Sequence, residues 1–142
     1  MIASSPATVA ASDFEFEALQ HANNYRDALC AEFGPFLTGD VLEVGAGIGQ
    51  FTECLRQIPT VRHLVSVEPD SGYCARHREK FKHHQLIEGT VADVPSDSDW
   101  DSILSVNVLE HIGDDEDELK RYGALLRKNR GALCLFVPAR PE

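Results

Sequence analysis

Asp40-Val41-Leu42-Glu43-Val44-Gly45-Ala46-Gly47-Ile48-Gly49-Gln50 is the stretch that decides the fold. The β-branched run over 41–44 stops at a glycine, and a helix-like pattern opens at Gly49 and runs to about residue 57. Glycines at every second position allow positive φ and let a ligand lie against bare backbone, with a helix opening beyond. A dinucleotide fingerprint GxGxxG would place its third glycine at position 50, where this chain has Gln50; the glycine comes one residue early, at Gly49. Glu43, just ahead of the first glycine, adds a carboxylate at the mouth of the loop, which suits a cation better than a diphosphate. The plainer alternative is a turn that serves backbone geometry alone.

Upstream, Phe14, Leu19, Ala22, Tyr25, Leu29, Phe33 and Phe36 recur at helical spacing, which predicts an amphipathic helix over 13–36 that Gly34-Pro35 brings to its end. Downstream, the strand-helix pattern repeats. Residues 63–67 read as a strand and 70–81 as a helix, with Asp70 or Ser71 as N-cap. Further strands are expected over 85–88, 101–106 and 132–137, the last closed by Pro138. A helix is expected over 116–127, with Leu119, Tyr122, Leu125 and Leu126 on one side. Strands alternating with helices imply right-handed crossovers and a parallel sheet covered on both faces. Such a sheet binds ligands at the carboxyl ends of its strands, so the chemistry should sit just after each one.

The second strand ends in Val67-Glu68-Pro69, with Glu68 lying 23 residues beyond Gly45. That is close to the interval of about 20 residues at which a carboxylate meets a ribose diol in nucleotide-binding sheets. An isolated acid at a strand end is ordinarily a solvated cap; paired with the glycine loop it points to a 2′,3′-diol.

The chain has 142 residues, 43% hydrophobic and 25% charged, which suits one globular domain. We expect a frayed tail over 1–12, without the basic start or apolar block of a secretory signal, and a single domain over 13–142. Thirteen basic against 23 acidic residues leave a net charge of −10, which opposes nonspecific nucleic-acid binding. No apolar run approaches the 18 or so residues of a membrane span, so a soluble, cytoplasmic protein is expected. Cys30, Cys54, Cys74 and Cys134 form no CxxC pair and read as four buried or half-buried free thiols.

Four motifs in order resemble those of the class I S-adenosylmethionine-dependent methyltransferases: Glu43-x-Gly45-x-Gly47-x-Gly49, then Glu68, then Gly89-Thr90-Val91-Ala92-Asp93, then Asn107-Val108-Leu109-Glu110-His111. The resemblance covers about residues 38–138 and is strongest with the type 11, 12 and 23 branches. It implies a Rossmann-like, doubly wound, mainly parallel sheet of order 3-2-1-4-5, with S-adenosylmethionine as cofactor and S-adenosylhomocysteine as product. Glu43 and the backbone of Gly45, Ala46, Gly47 and Gly49 would then hold the methionine end, and Glu68 with Pro69 the ribose. Many relatives carry an acid for the adenine amino group where this chain has Thr90; Val91 backbone and Asp93 are the remaining candidates. Asn107 and Val108 would face the reactive end and the acceptor.

Some quinone O-methyltransferases place an acid three residues before a Glu-His pair as part of a divalent-metal site; here Asn107 stands there, and no metal is expected. His111 is the candidate general base for an acceptor hydroxyl, since imidazole titrates near neutrality; otherwise Glu110-His111 packs the following loop. The run Asp114 to Glu118 reads as a solvated helix start, the cluster His77, His83, His84 as surface, and Trp100 as a core edge or loop anchor. Family members usually continue with another helix and two strands, so the fold is expected to be C-terminally truncated, leaving the fifth strand an apolar edge that a homodimer would cover. The acceptor is expected to be a small molecule, sugar or lipid. A noncatalytic nucleotide-binding or partner-binding module on the same sheet is the alternative.

Overall fold

The computed structural model describes residues 22–139. The expected tail over 1–12 and the first part of the helix over 13–36 lie outside them. Helix α1 spans 22–33 and closes through a single 3-10 turn, Gly34–Phe36, where Pro35 fits an early position that needs no amide donor. The chain continues as β1 (Gly39–Val44), α2 (Gln50–Leu55), β2 (Val61–Glu68), α3 (Ser71–Lys80), β3 (Gln85–Glu88), β4 (Ser102–Val106), α4 (Asp115–Leu125) and β5 (Ala132–Phe136). All pairings are parallel and the order is β3-β2-β1-β4-β5, the doubly wound arrangement with its switch point between β1 and β4.

Alternation along the strands divides the core. Leu42, Val44, Val65, Val67 and Ile103 face Trp100, Tyr122 and Leu125, whereas Val41, Leu104 and Cys134 face Leu37 and Leu55. Trp100 anchors the loop before β4, its indole N–H donating to Ser98 Oγ at 3.0 Å. On the face of Val41, register sets Glu43 between Ser66 of β2 and Leu104 of β4, a carboxyl flanked by one hydroxyl and one apolar neighbour.

Helix ends follow their caps. Asp70 accepts from the Tyr73 amide and Asp114 from the Asp117 amide, each at 2.9 Å, and the acidic run supplies the first turn of α4, where it complements the helix dipole. The expected apolar side of α4 is rotated by one residue: Glu118, Tyr122 and Leu125 are buried and Leu119 is exposed, because the Tyr122 hydroxyl reaches Ser105 of β4 at 3.3 Å and fixes the helix about its axis. The helix also stops at Leu125, two residues short of the expected end. Leu126 turns extended, Trp100 and Leu126 form a parallel bridge, and the Arg127 side chain pairs with Asp40 at 2.8 Å.

Two expectations are overturned. Cys30 and Cys54 are not free thiols: a disulfide joins α1 to α2 across 24 residues of sequence, leaving Cys74 and Cys134 as the buried free thiols among the described residues. Nor is the histidine cluster on the surface. His77 is fully buried and His84 half-buried, while His83 stays exposed. His77 packs at a tilt against Phe81 and bonds Thr52 of α2, so its ring finds a polar partner inside the interface.

Candidate active site

The glycine loop is tied to β2 through three amides and to itself through a fourth. Gly45 and Ala46 both donate to the Val67 carbonyl, at 2.9 and 3.0 Å, and Gly49 donates to the Ala46 carbonyl at 3.0 Å. Gly47 donates to Glu68 Oε2 at 2.8 Å. A diphosphate site needs free backbone N–H groups, and these four are engaged. Gly45 holds φ +76 and is so close to Val108 that a Cβ there would collide with its methyl, so the loop and the residue after β4 approach only because no side chain intervenes. Gly47, at φ +56, is different: a Cβ would meet only Gln50 Oε1, at 4.0 Å, so the space above it is open. Gly49 is the left-handed N-cap of α2.

Glu68 ends β2 with its carboxylate held in place. Oε2 takes the Gly47 amide and Oε1 takes the Asp70 amide at 3.0 Å. Each carboxylate oxygen has two lone pairs, so each keeps one acceptor site for a diol. Glu43 is not at the mouth of the loop as expected from its position, because β1 directs its side chain beneath the loop. It is 2% exposed, and its Oε2 accepts from Thr52 Oγ1 and Ser66 Oγ, both at 2.6 Å. Burial raises its pKa from 4.5 to about 7, against the opposing pull of those two hydroxyl bonds.

After β3, Thr90 N-caps the 3-10 turn Val91–Asp93 in a capping box: its hydroxyl accepts from the Ala92 amide at 3.3 Å and Asp93 Oδ2 accepts from the Thr90 amide at 2.8 Å. Asp93 is thereby committed to the local turn. After β4, Asn107 adopts φ +55, a left-handed conformation costly for a residue with a side chain, and its amide donates to the Phe136 carbonyl of β5 at 3.0 Å.

Gly45, Pro69, Thr90, Val91 and Val108 line one hollow of about 40 Å³. A larger one, about 630 Å³, is walled by Tyr25 and Arg26 of α1, Ile48 of the loop, Phe51 of α2 and Asn107. Of the expected site residues, Gly45, Pro69, Thr90, Val91, Asn107 and Val108 line these two hollows, Glu43 lies beneath the loop, and Ala46, Gly47, Gly49, Glu68 and His111 line none of the hollows described. The His111 ring is 77% exposed beside Glu110 at 3.7 Å. Among the described residues no group of three or more His, Cys, Asp or Glu stands in ligating geometry. Spacing alone did not reveal the walls from α1 and α2, or Lys80, which pairs with Glu53 at 2.9 Å and holds that carboxyl below its usual range.

Residues 17–141 match the family model of a methyltransferase domain of type 23. The chain belongs to that family. No curated protein matches this methyltransferase domain in sequence. Solved structures share its fold. An S-adenosylmethionine-dependent methyltransferase from Clostridium acetobutylicum is 18% identical, with TM-score 0.59, 89% of this chain covered and 56% of the other. Phosphoethanolamine N-methyltransferase 1 of Haemonchus contortus, in complex with phosphoethanolamine and S-adenosylhomocysteine, is 23% identical, with TM-score 0.67 and coverages of 80% and 26%. The DhpI–SAH complex is 18% identical, with TM-score 0.68 and coverages of 88% and 62%. The chain spans between 26% and 62% of the length of these three structures.

Proposed function

We infer that this domain binds S-adenosylmethionine across the carboxyl ends of β1, β2, β3 and β4 and transfers its methyl group to an acceptor, releasing S-adenosylhomocysteine. The observation that carries this reading is Glu68: a carboxylate fixed by two backbone amides, with acceptor capacity to spare, beside the open space over Gly47. The engaged loop amides support a sulfonium ligand over a diphosphate, and the buried Glu43 places a titratable carboxyl directly under it. Gly45, Ala46, Gly47 and Gly49 supply the backbone for the methionine end, Glu68 and Pro69 the ribose site, Thr90 and Val91 the adenine edge, and Asn107 and Val108 the acceptor side.

A sulfonium methyl is electrophilic when bound, so the chain has to align an acceptor, exclude water and accept a proton where the acceptor carries one. Asn107 and Tyr25 border the hollow an acceptor would occupy. His111, at the end of the 3-10 turn Leu109–His111 that follows Asn107 and Val108, is proposed as the base for a hydroxyl acceptor. The acceptor is a small molecule, sugar or lipid; the small-molecule class gains support from the phosphoethanolamine complex. A homodimer that covers β5, and a cytoplasmic location, belong to the same proposal. Among the described residues no helix is long and apolar enough to cross a membrane.

Calorimetry with S-adenosylhomocysteine and with NAD tests the cofactor, and transfer of a labelled methyl group to candidate acceptors tests the activity. Binding of the former and not the latter is expected. Preference for NAD would overturn the assignment, and binding without transfer to any acceptor would leave a noncatalytic module.

A further inference from the structure

Beneath the glycine loop runs a continuous chain of polar groups that cofactor contact does not require. Glu43 stands at its centre, with Thr52 on one side and Ser66 on the other. Thr52 Oγ1 lies 3.0 Å from His77 Nε2, and Ser66 Oγ lies 2.8 Å from His84 Nε2. Five side chains from β1, α2, β2, α3 and the turn after α3 thus form one line, His77–Thr52–Glu43–Ser66–His84.

Hydrogen-bond arithmetic fixes its direction. When Glu43 is ionised, both hydroxyl protons point at its carboxylate, so each hydroxyl can only accept from the imidazole beyond it. Both histidines are then Nε2–H tautomers, and His77 Nδ1 is left bare; that atom is buried without a hydrogen-bond partner. When Glu43 is neutral, its O–H donates to Ser66, Ser66 donates to His84 Nε2, and His84 carries its proton on Nδ1. The two ends differ. His77 is sealed at 0% exposure, whereas His84 is half-buried and opens to solvent.

We propose that this line is a proton relay coupled to the ligand site: a cation seated over Gly45 and Gly47 ionises Glu43, and the proton leaves through Ser66 and His84. In that step Glu43 gives its proton to Ser66 Oγ, Ser66 gives its own to His84 Nε2, and His84 Nδ1 releases one to the buffer, so a single proton is expelled and both histidines end as Nε2–H. The inference rests on the cationic ligand proposed above. Groups facing Glu43 are few: Thr52 and, through it, His77; Ser66 and, through it, His84; Glu68 at the end of β2; and only the apolar Leu104 from β4. Burial is the main force that disfavours protonation of both histidines; Arg78 and Lys80 add to it at His77 against the opposing pull of Glu68, and His77, Arg56 and His63 add to it at His84, which keeps both imidazoles neutral. Burial pushes the Glu43 carboxyl up to about 7, so a share of the molecules hold a proton for release at neutral pH.

Titration calorimetry with S-adenosylmethionine and S-adenosylhomocysteine, repeated in buffers of low and high ionisation enthalpy, reads the release directly. At pH 7 the measured enthalpy should depend on buffer with the slope of a fractional proton release, one that falls as pH rises further and vanishes in Glu43→Gln. S-adenosylmethionine, which carries one positive charge more than its thioether product, should release at least as much as that product. Binding with a buffer-independent heat at pH 7, or release that persists in the variant, would overturn the relay. Absence of binding heat with either ligand would overturn the cofactor assignment instead. The free protein then decides the relay by nuclear magnetic resonance, with no variant needed: the Glu43 carboxyl carbon and the His84 ring nitrogens should titrate together near pH 7, and independent titrations would refute it.

Discussion

Glu68 does two things at one position: it anchors the Gly47 amide and presents free acceptor sites. Replacing it with alanine removes a charged acceptor and leaves the loop amide without its partner. Glu68→Ala should therefore weaken S-adenosylhomocysteine by about 1–3 kcal/mol in calorimetry while circular dichroism stays native, and an unchanged affinity would refute the ribose assignment. Gly47→Val works by volume instead. Its φ of +56 disfavours any side chain, and the new branches would fill the open space above it, so binding should be lost altogether. Measurable affinity in that variant would place the ligand elsewhere in the crevice. His111 stands apart from both: His111→Ala should keep the cofactor affinity, measured by calorimetry, and slow transfer to a hydroxyl acceptor.

Helix α1 is held to the rest by Cys30–Cys54, a bridge that closes a loop containing β1 and the whole glycine turn. Loop-closure entropy assigns a crosslink of this span about 3 kcal/mol. Denaturant unfolding of the oxidised protein should show a higher midpoint than that of the reduced one, and Cys30→Ser should match the reduced form; equal midpoints would show that the bridge carries no stability. Sequence pattern located β3, β4 and β5 to within a residue and β1 to within two, because each has a branched or apolar centre and stops at or just before glycine, asparagine or proline. It located the glycine turn and Glu68 because those features are local. The bridge, the cavity wall from Tyr25 and Arg26, and the burial of His77 were illegible for a common reason. Each depends on how helices pack, and α3, with Arg76, Arg78, Glu79 and Lys80 around Cys74 and His77, is so polar that no periodicity marks its inner side. Glu43 shows the same limit: its identity was readable, its burial was not, since that follows from Ser66 and Leu104 flanking it in register.

For the whole molecule, the buried line makes stability depend on pH in two opposing ways. Glu43 holds its proton up to about pH 7 in the fold and only to 4.5 when unfolded, so between those values the folded state binds more protons and stability falls as pH rises. His84 is the reverse, titrating near 4 in the fold against 6.5 when unfolded, so stability is lost as pH falls through that window, with His77 acting in the same sense. The two slopes offset each other between about pH 4.5 and 6.5. Glu43→Gln should remove one of them and expose a steep acid loss, visible as urea midpoints that drop from pH 6.5 to 5 far more than in the parent; parallel profiles would contradict the assignment. One last connection spans the molecule. Phe136, the final residue of β5, receives the Asn107 amide through its carbonyl and meets Tyr25 edge-on through its ring, at 5.4 Å between centroids. The rim of the sheet and the roof of the large hollow therefore share one side chain and one peptide oxygen, so a ligand under that roof that displaces Phe136 would alter the affinity of anything docked along that rim, and reciprocity would make the two effects equal.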